Sequence, residues 1–530
     1  MRVPLSVPRL RAVTASLLAG VAAALMATPA VAADLLLVRL GDLELPLSLS
    51  QLERWSHTGE GGRGNDDLVM WLNLLDANAR HNLRRFLQTP LLRDRSFGQQ
   101  LLSSWAGERM LAEVGSLVSG PDGTNSAALL RRTLRQGLER RGEVTTLQLL
   151  RDLPVPVVTL RLDGLLAMGE RWRHDLHRQI QAFRALPNLA LPQRRLAALN
   201  FRGRRSQRPL QLNLPVAHRP EPLPLALWRP TGGGAARPLL LLLPGLGGTA
   251  DQLAWLAEAL SARGWPVLVL QHPGSDEAAM KEALEGSRPP PGAESLPQRQ
   301  ADITAVLAAR AAGRIGPLST TGPVVMIGHS LGGVAALLAA GLPPEPGLEP
   351  RCRQAIERLP ISNPSQLLQC QLATVHWPHR PQPPAELGGV VLLNSFGSLL
   401  WPSRGLADLP VPLLMVGGSL DLVTPPLREQ LDLFLPGGDP GRRLALVQGG
   451  SHFSPVHLDP EDSALFRLGD ELVGVEPARV QESLLSLIYE FLRSLEQPLT
   501  VPAQRRTQNG VTTWLLDPAA AGRWRASFGN

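Results

Sequence analysis

At 530 residues, 44% of them hydrophobic and 19% charged, the chain has enough apolar material for two or three domains with full cores, which excludes a natively disordered protein. Its formal charge of +7 rests on 53 basic residues, all arginine except Lys281 and scattered rather than massed. With no recognised nucleic-acid motif and no interleaving of aromatic with basic residues, that charge argues against a nucleic-acid partner.

Residues 1–33 read as a signal peptide. Arg2, Arg9 and Arg11 give a positive start, Ala12 to Ala27 an apolar segment, and Ala30-Val31-Ala32 a small-residue cleavage site. The apolar run is short for a spanning helix and nothing comparable follows, so no transmembrane segment is expected. The mature protein is expected to be soluble and exported to a periplasm, a lumen or the extracellular space.

Residues 34–155 read as a mainly helical N-terminal domain. Leu35 to Leu40 and Leu43 to Leu49 suggest a hairpin about Gly41-Asp42. From Asp66 to about Leu153, apolar residues such as Val69, Leu72, Leu75, Leu130, Leu134 and Leu138 recur at helical spacing. This region gathers no nucleophile, base or metal ligands, so a structural or docking role is expected, with a protein partner that the sequence does not name. Residues 156–208 follow as a basic helical connector.

Residues 209–497 carry short apolar runs at Leu210–Val216, Leu223–Trp228, Leu239–Leu243, Val267–Leu270, Val324–Ile327, Val390–Leu393, Pro412–Val416 and Leu444–Val447. Helical stretches separate most of the later ones, which describes an α/β domain with a doubly wound, mostly parallel sheet and an antiparallel edge. Residues 343–388 interrupt the alternation with ten prolines and read as an inserted lid. Within it Arg351–Leu359 and Pro364–Leu372 read as two helices, with Asn363 as N-cap of the second. Folded as a hairpin about Ile361, they bring Cys352 beside Cys370 for a disulfide. Two cysteines are too few for a metal site, and no metal is expected. The tail 498–530 takes no assignment.

Gly328-His329-Ser330-Leu331-Gly332 lies between the strand Pro323–Ile327 and a helix of strong formers. Gly-x-Ser-x-Gly at such a turn is a nucleophile elbow, with Ser330 on an exposed, strained corner. A serine nucleophile needs a base, and the base an orienting carboxylate. The run Pro412–Val416 ends in a turn holding Asp421, and Leu444–Val447 in one holding His452. Asp408, Asp432 and Asp439 compete as orienter and His457 as base, while His272, His376 and His379 fall in the wrong part of the order. His329 is read as a packing residue. The developing oxyanion needs backbone N–H donors. Leu331, after the nucleophile, supplies one; Leu246, in the glycine-rich loop after Leu239–Leu243, supplies the other.

On Pro244-Gly245-Leu246-Gly247, the Ser330 elbow, the Asp421 turn and Gly450-Ser451-His452, residues 237–495 resemble the α/β-hydrolase superfamily, closest to its dienelactone-hydrolase and platelet-activating-factor acetylhydrolase-like branches. The chain departs from both. The first uses cysteine where Ser330 stands, and the second places its acid after the preceding strand, where this sequence has Asn394-Ser395-Phe396. The whole chain also resembles a bacterial family of exported, sequence-predicted hydrolases with a helical N-terminal domain of unknown function. The expectation is an exported, cofactor-free serine hydrolase of small-molecule or lipid esters. Phe396, Leu399, Trp401 and Phe453 beside the catalytic turns suggest an apolar acyl pocket. A peptidase or amidase, or an inactive binding or scaffold protein, is the rival reading.

Overall fold

The computed structural model describes residues 33–59, 67–73, 75–93, 95–120, 125–197, 208–230, 237–358, 362–375, 382–457, 474–497 and 500–529. The expected signal peptide, except Ala33, lies outside the described residues, as does the hairpin centre at Ile361. The chain divides into two compact units, Met1–Gly98 with Val114–Leu165 and Gln99–Glu113 with Leu166–Asn530. Among the described residues no helix is long and apolar enough to cross a membrane.

In the first unit Leu35–Leu40 and Leu43–Ser48 pair as an antiparallel hairpin, with Gly41 at φ 58° in the turn. Val157–Arg161 runs parallel to Leu35–Leu40, and Val118–Ser119 lies antiparallel on its other side. Helices Leu49–Thr58 and Ala127–Arg141 bury Leu52 and Trp55, and Leu130, Leu134 and Leu138. The unit therefore combines helices with a four-stranded sheet. Val157–Arg161, where the sequence suggests the start of a helical connector, is a strand. Its β-branched Val157-Val158-Thr159 run gains its partner from more than a hundred residues away, which local periodicity cannot reveal.

The second unit is built on one 11-stranded sheet. Its strands are β1 (Gln193–Leu196), β2 (Leu210–Leu214), β3 (Leu223–Trp228), β4 (Leu239–Leu243), β5 (Val267–Leu270), β6 (Val324–His329), β7 (Leu387–Leu393), β8 (Leu413–Gly418), β9 (Arg443–Val447), β10 (Gln504–Gln508) and β11 (Val511–Leu516). Strands β4 to β9 are mutually parallel in the order β5-β4-β6-β7-β8-β9. Antiparallel strands β3 and β2 extend one edge; the β11–β10 hairpin, with β1 parallel to β10, extends the other.

The run of five leucines in β4 shows why this sheet is central. Leu239, Leu241 and Leu243 enter one core cluster and Leu240 and Leu242 the other. A strand covered on both faces has no polar side, so it reads as a continuous apolar run. Helices α1 (Ala254–Ser261) and α7 (Pro477–Glu496) cover one face. The other is covered by α3 (Leu296–Ala311), α4 (Leu331–Ala339) and α8 (Pro518–Phe528). Each fully buried leucine contributes about 1.5–3 kcal/mol relative to exposure. The fold is a doubly wound α/β sheet of the α/β-hydrolase type.

The insert carries α5 (Leu348–Glu357) and α6 (Ser365–Gln371), joined by a disulfide between Cys352 and Cys370 whose Cα atoms are 5.3 Å apart. Pro364, not Asn363, takes the cap position of α6. Asn363 commits its amide elsewhere, donating to Glu429 Oε1 at 2.5 Å, and its Oδ1 accepts from Ser365 Oγ at 2.7 Å. Glu429 is fully buried and also accepts from Gln369 of the insert and from Gly397 and Ser398 after β7. Arg351 adds a bond from Nε to Leu399 O at 2.9 Å. The insert is thereby fixed to the loop that follows β7.

Candidate active site

Parallel strands of one sheet deliver their following turns to the same end, and three such turns meet here. At the end of β6, Ser330 has φ 51° and ψ −121°, a region that L residues with side chains avoid. The elbow holds because its glycines admit close approach. A Cβ on Gly328 would overlap the Gly332 carbonyl, and one on Gly332 the Leu243 carbonyl of β4. Ser330 N donates to Leu393 O of β7 at 2.9 Å, which pins the corner from the other side.

His452, after β9, places Nε2 3.0 Å from Ser330 Oγ. Its Nδ1 lies 3.0 Å from Asp421 Oδ2 and 3.2 Å from Oδ1. With Nδ1–H donated to the carboxylate, Nε2 presents its lone pair to the serine hydroxyl. All three side chains are buried. Asp421 Oδ1 accepts from Val423 N at 2.9 Å and Thr424 N at 2.7 Å, and Oδ2 from Thr424 Oγ1 and Asn394 Nδ2, both at 2.6 Å. Burial alone would raise this carboxyl. The His452 imidazole and the bonds from His452 and Thr424 outweigh it and hold the group below its ordinary range.

The competing residues have other partners. Asp408 pairs with Arg404, Asp432 with Arg428 and Arg525, and Asp439 accepts from Gly441 N. His272 Nδ1 is bonded to Asp302 at 2.8 Å, and His457 is exposed. His376 and His379 lie outside the described residues. His329 does more than pack: its Nε2 donates to the His452 backbone carbonyl at 2.9 Å. Burial, and then the nearby His452, pull its pKa down to about 3, so it stays neutral.

Leu331 is the first residue of α4, where helix N–H groups have no carbonyl a turn earlier to reach. The Leu246 loop lies against the serine: a Cβ added to Gly245 would be 2.9 Å from His329 Nδ1 and 3.3 Å from Ser330 Cβ. Of the expected pocket residues, Phe396 and Trp401 are buried in the core, Trp401 also donating to Pro343 O of the insert at 3.0 Å. Leu399 and Phe453 remain half-buried, and the Phe453 ring stands edge-on to His452 at 5.2 Å.

Asn394, Thr424 and Ser395 escape a reading of the sequence. Ser395 Oγ donates to Ser330 O at 3.2 Å, and Gln430 Nε2 to Ser395 O at 2.6 Å. The sequence marks Asn394 and Ser395 only as the turn after an apolar strand, and the structure shows Asn394, like Ser330, at positive φ, 49°. Among the described residues no group of three or more His, Cys, Asp or Glu side chains is arranged to hold a metal ion.

Residues 240–464 match the model of an alpha/beta hydrolase family. Residues 32–161 match a second model, described as an alpha/beta hydrolase of unknown function, and that match ends with the strand Val157–Arg161. No curated protein shows a significant match to the chain. Two family models and a sheet whose parallel strands carry an elbow serine to a histidine and a carboxylate support one assignment, the α/β-hydrolase superfamily.

Proposed function

We propose that the protein is an exported serine hydrolase that cleaves carboxylic esters through an acyl-enzyme. The observation that carries this reading is the unbroken row Ser330 Oγ, His452 Nε2, His452 Nδ1 and Asp421, with separations of 3.0 Å at both junctions. Ser330 attacks the ester carbonyl while His452 takes its proton, and Asp421 holds the imidazole and stabilises the imidazolium that forms. His452 then protonates the departing alkoxide. Water, activated by the same imidazole, attacks the acyl-serine, releases the acid and restores Ser330. The N–H groups of Leu246 and Leu331 hold the oxyanion in both halves, each donor typically contributing roughly 2.7–4 kcal/mol.

Export is supported by the positive, apolar and small-residue pattern of residues 1–33 and by the Cys352–Cys370 disulfide, a bond that persists in oxidising compartments. The same row of groups can serve amides, so the test must separate the two substrates. Fluorophosphonate labelling of purified mature protein should disappear in Ser330→Ala, and a panel of acyl esters should be hydrolysed while unmodified peptides are left intact. Cleavage of peptides in preference to esters would replace the reading with a peptidase. A folded wild type that neither labels nor turns over esters would replace it with a binding protein.

A further inference from the structure

Beneath the Leu246 loop lies a guanidinium that the reaction as written does not use. Arg299, on the first turn of α3, is 1% exposed. Its Nη1 donates to Pro244 O at 2.8 Å and its Nη2 to Gly245 O at 3.0 Å. Nη2 also donates to Ser275 O at 3.0 Å, and Nε to Ser275 Oγ at 2.9 Å. Ser275 O in turn accepts from Gly247 N at 2.9 Å. A buried charge is expensive, and this one divides its donors between the carbonyls of Pro244 and Gly245 and the backbone and hydroxyl of Ser275.

The geometry gives that expenditure a direction. In a trans peptide the C=O and the following N–H point in opposite senses. No peptide bond among the described residues is cis. The carbonyl of Gly245 and the N–H of Leu246 belong to one peptide plane. With the carbonyl turned in to the guanidinium, the N–H faces away from it, in a loop whose Gly245 abuts His329 and Ser330. A charged donor on the carbonyl also polarises the peptide and strengthens its N–H as a donor.

We propose that Arg299 is a positioning residue for catalysis, fixing and polarising the Gly245–Leu246 peptide so that Leu246 N–H is aimed at the developing oxyanion. This deepens the serine-hydrolase reading and rests on it. The charge of Arg299 is counterbalanced by the buried Asp302, which gathers a cluster of its own. Asp302, one turn along α3, accepts from Arg219 Nε at 2.6 Å and Nη2 at 2.7 Å, and bonds His272 Nδ1 at 2.8 Å and His218 Nε2 at 2.7 Å. Burial pulls the guanidinium down to about 9, with Asp302 and Asp276 opposing, so it is charged at neutral pH. The loop beside the nucleophile is thus tied to charges that never touch substrate.

The test compares full-length mature wild type with Arg299→Met and Arg299→Lys, scored by steady-state hydrolysis of a p-nitrophenyl ester and by the rate of fluorophosphonate labelling. Arg299→Met should lower kcat about 100-fold, the effect of losing one oxyanion donor, with KM within about threefold of wild type. Labelling should slow in parallel, and the acid limb of the kcat/KM profile, set by the triad, should not move. Arg299→Lys keeps a charge that reaches the carbonyls less well and should recover about tenfold. A folded Arg299→Met with kcat near wild type, a loss confined to KM, or a displaced acid limb overturns the proposal. If Arg299→Met does not fold, Arg299→Lys decides: kcat and labelling equal to wild type overturn it, and a tenfold loss at constant KM upholds it. A wild type inert towards both esters and probe would instead fail the parent reading, so the two failures are distinct.

Discussion

Asn394 Nδ2 lies 2.6 Å from Asp421 Oδ2, so the turns that end two neighbouring parallel strands, β7 and β8, meet at one carboxylate. The same amide reaches Ser451 O at 3.2 Å, one residue before His452. Asn394 stands where the acetylhydrolase-like branch carries its acid, and its φ of 49° suits Asp as well as Asn. Asp421→Asn should lower kcat about 10⁴-fold through loss of the imidazole's orienter. Adding Asn394→Asp to that variant should recover roughly 10- to 100-fold, because a carboxylate then stands beside the vacated one. Steady-state kinetics of the pair decide this, and a double variant no faster than the single one defeats it.

Acid stability should be governed by histidines outside the triad. Burial, ahead of the surrounding charges, drives His329 to about 3 and His272 to about 4; for His272 the Arg299 charge adds to the fall and Asp302 opposes it. In the unfolded chain both return to about 6.5. Above that pH neither state binds the proton. Below it only the unfolded state does, so stability falls as pH drops from about 6.5 towards 4. The slope approaches roughly 1.4 kcal/mol per pH unit for each histidine. Urea midpoints measured from pH 7 to pH 4.5 should fall accordingly, and less steeply in His329→Gln. An identical slope in that variant would refute the assignment.

The disulfide closes a short loop within the insert. With Cys352 and Cys370 at a sequence separation of 18, chain entropy puts its contribution at about 3 kcal/mol. Reductant should lower the melting temperature of wild type and leave Cys352→Ser/Cys370→Ser unmoved. A reductant effect that survives in the double variant would mean that the loss comes from elsewhere.

Two glycines make a matched pair. A Cβ on Gly332 would sit on the Leu243 carbonyl, whereas one on Gly522, inside α8, meets nothing within 4 Å. Gly332→Ala should therefore disrupt the elbow and abolish soluble, labelled protein. Gly522→Ala should raise stability by about 0.5–1 kcal/mol through helix propensity. Expression yield and thermal melts of the two variants check both statements, and a well-folded, fully active Gly332→Ala would falsify the account of the elbow.

What the sequence could disclose was whatever is local. Ser330, Asp421 and His452 each follow a short run of apolar residues, and a strand buried on both faces announces itself in five letters. The β10 strand does the reverse. Gln504, Arg506 and Gln508 are its buried residues, so it has no apolar face for periodicity to find. Val157–Arg161 was hidden because its partner lies far along the chain. Arg299 and Asn394 are ordinary polar letters until the sheet brings Pro244 and Gly245 to one and Asp421 to the other. Glu429 likewise means nothing until the insert folds back onto the loop after β7.

The strand that leads into His452 acquires its second neighbour only when residues 511–516 arrive. Beyond them Trp524 reaches back across 342 positions to donate to Ala182 O at 2.8 Å. A sheet assembled from such distant pieces closes late and comparatively slowly. During synthesis the strand before Ser330 is therefore complete long before His452 has a settled place. The row from Ser330 through His452 to Asp421 is thus settled only after residues 511–516, well beyond His452 in the chain, have been joined.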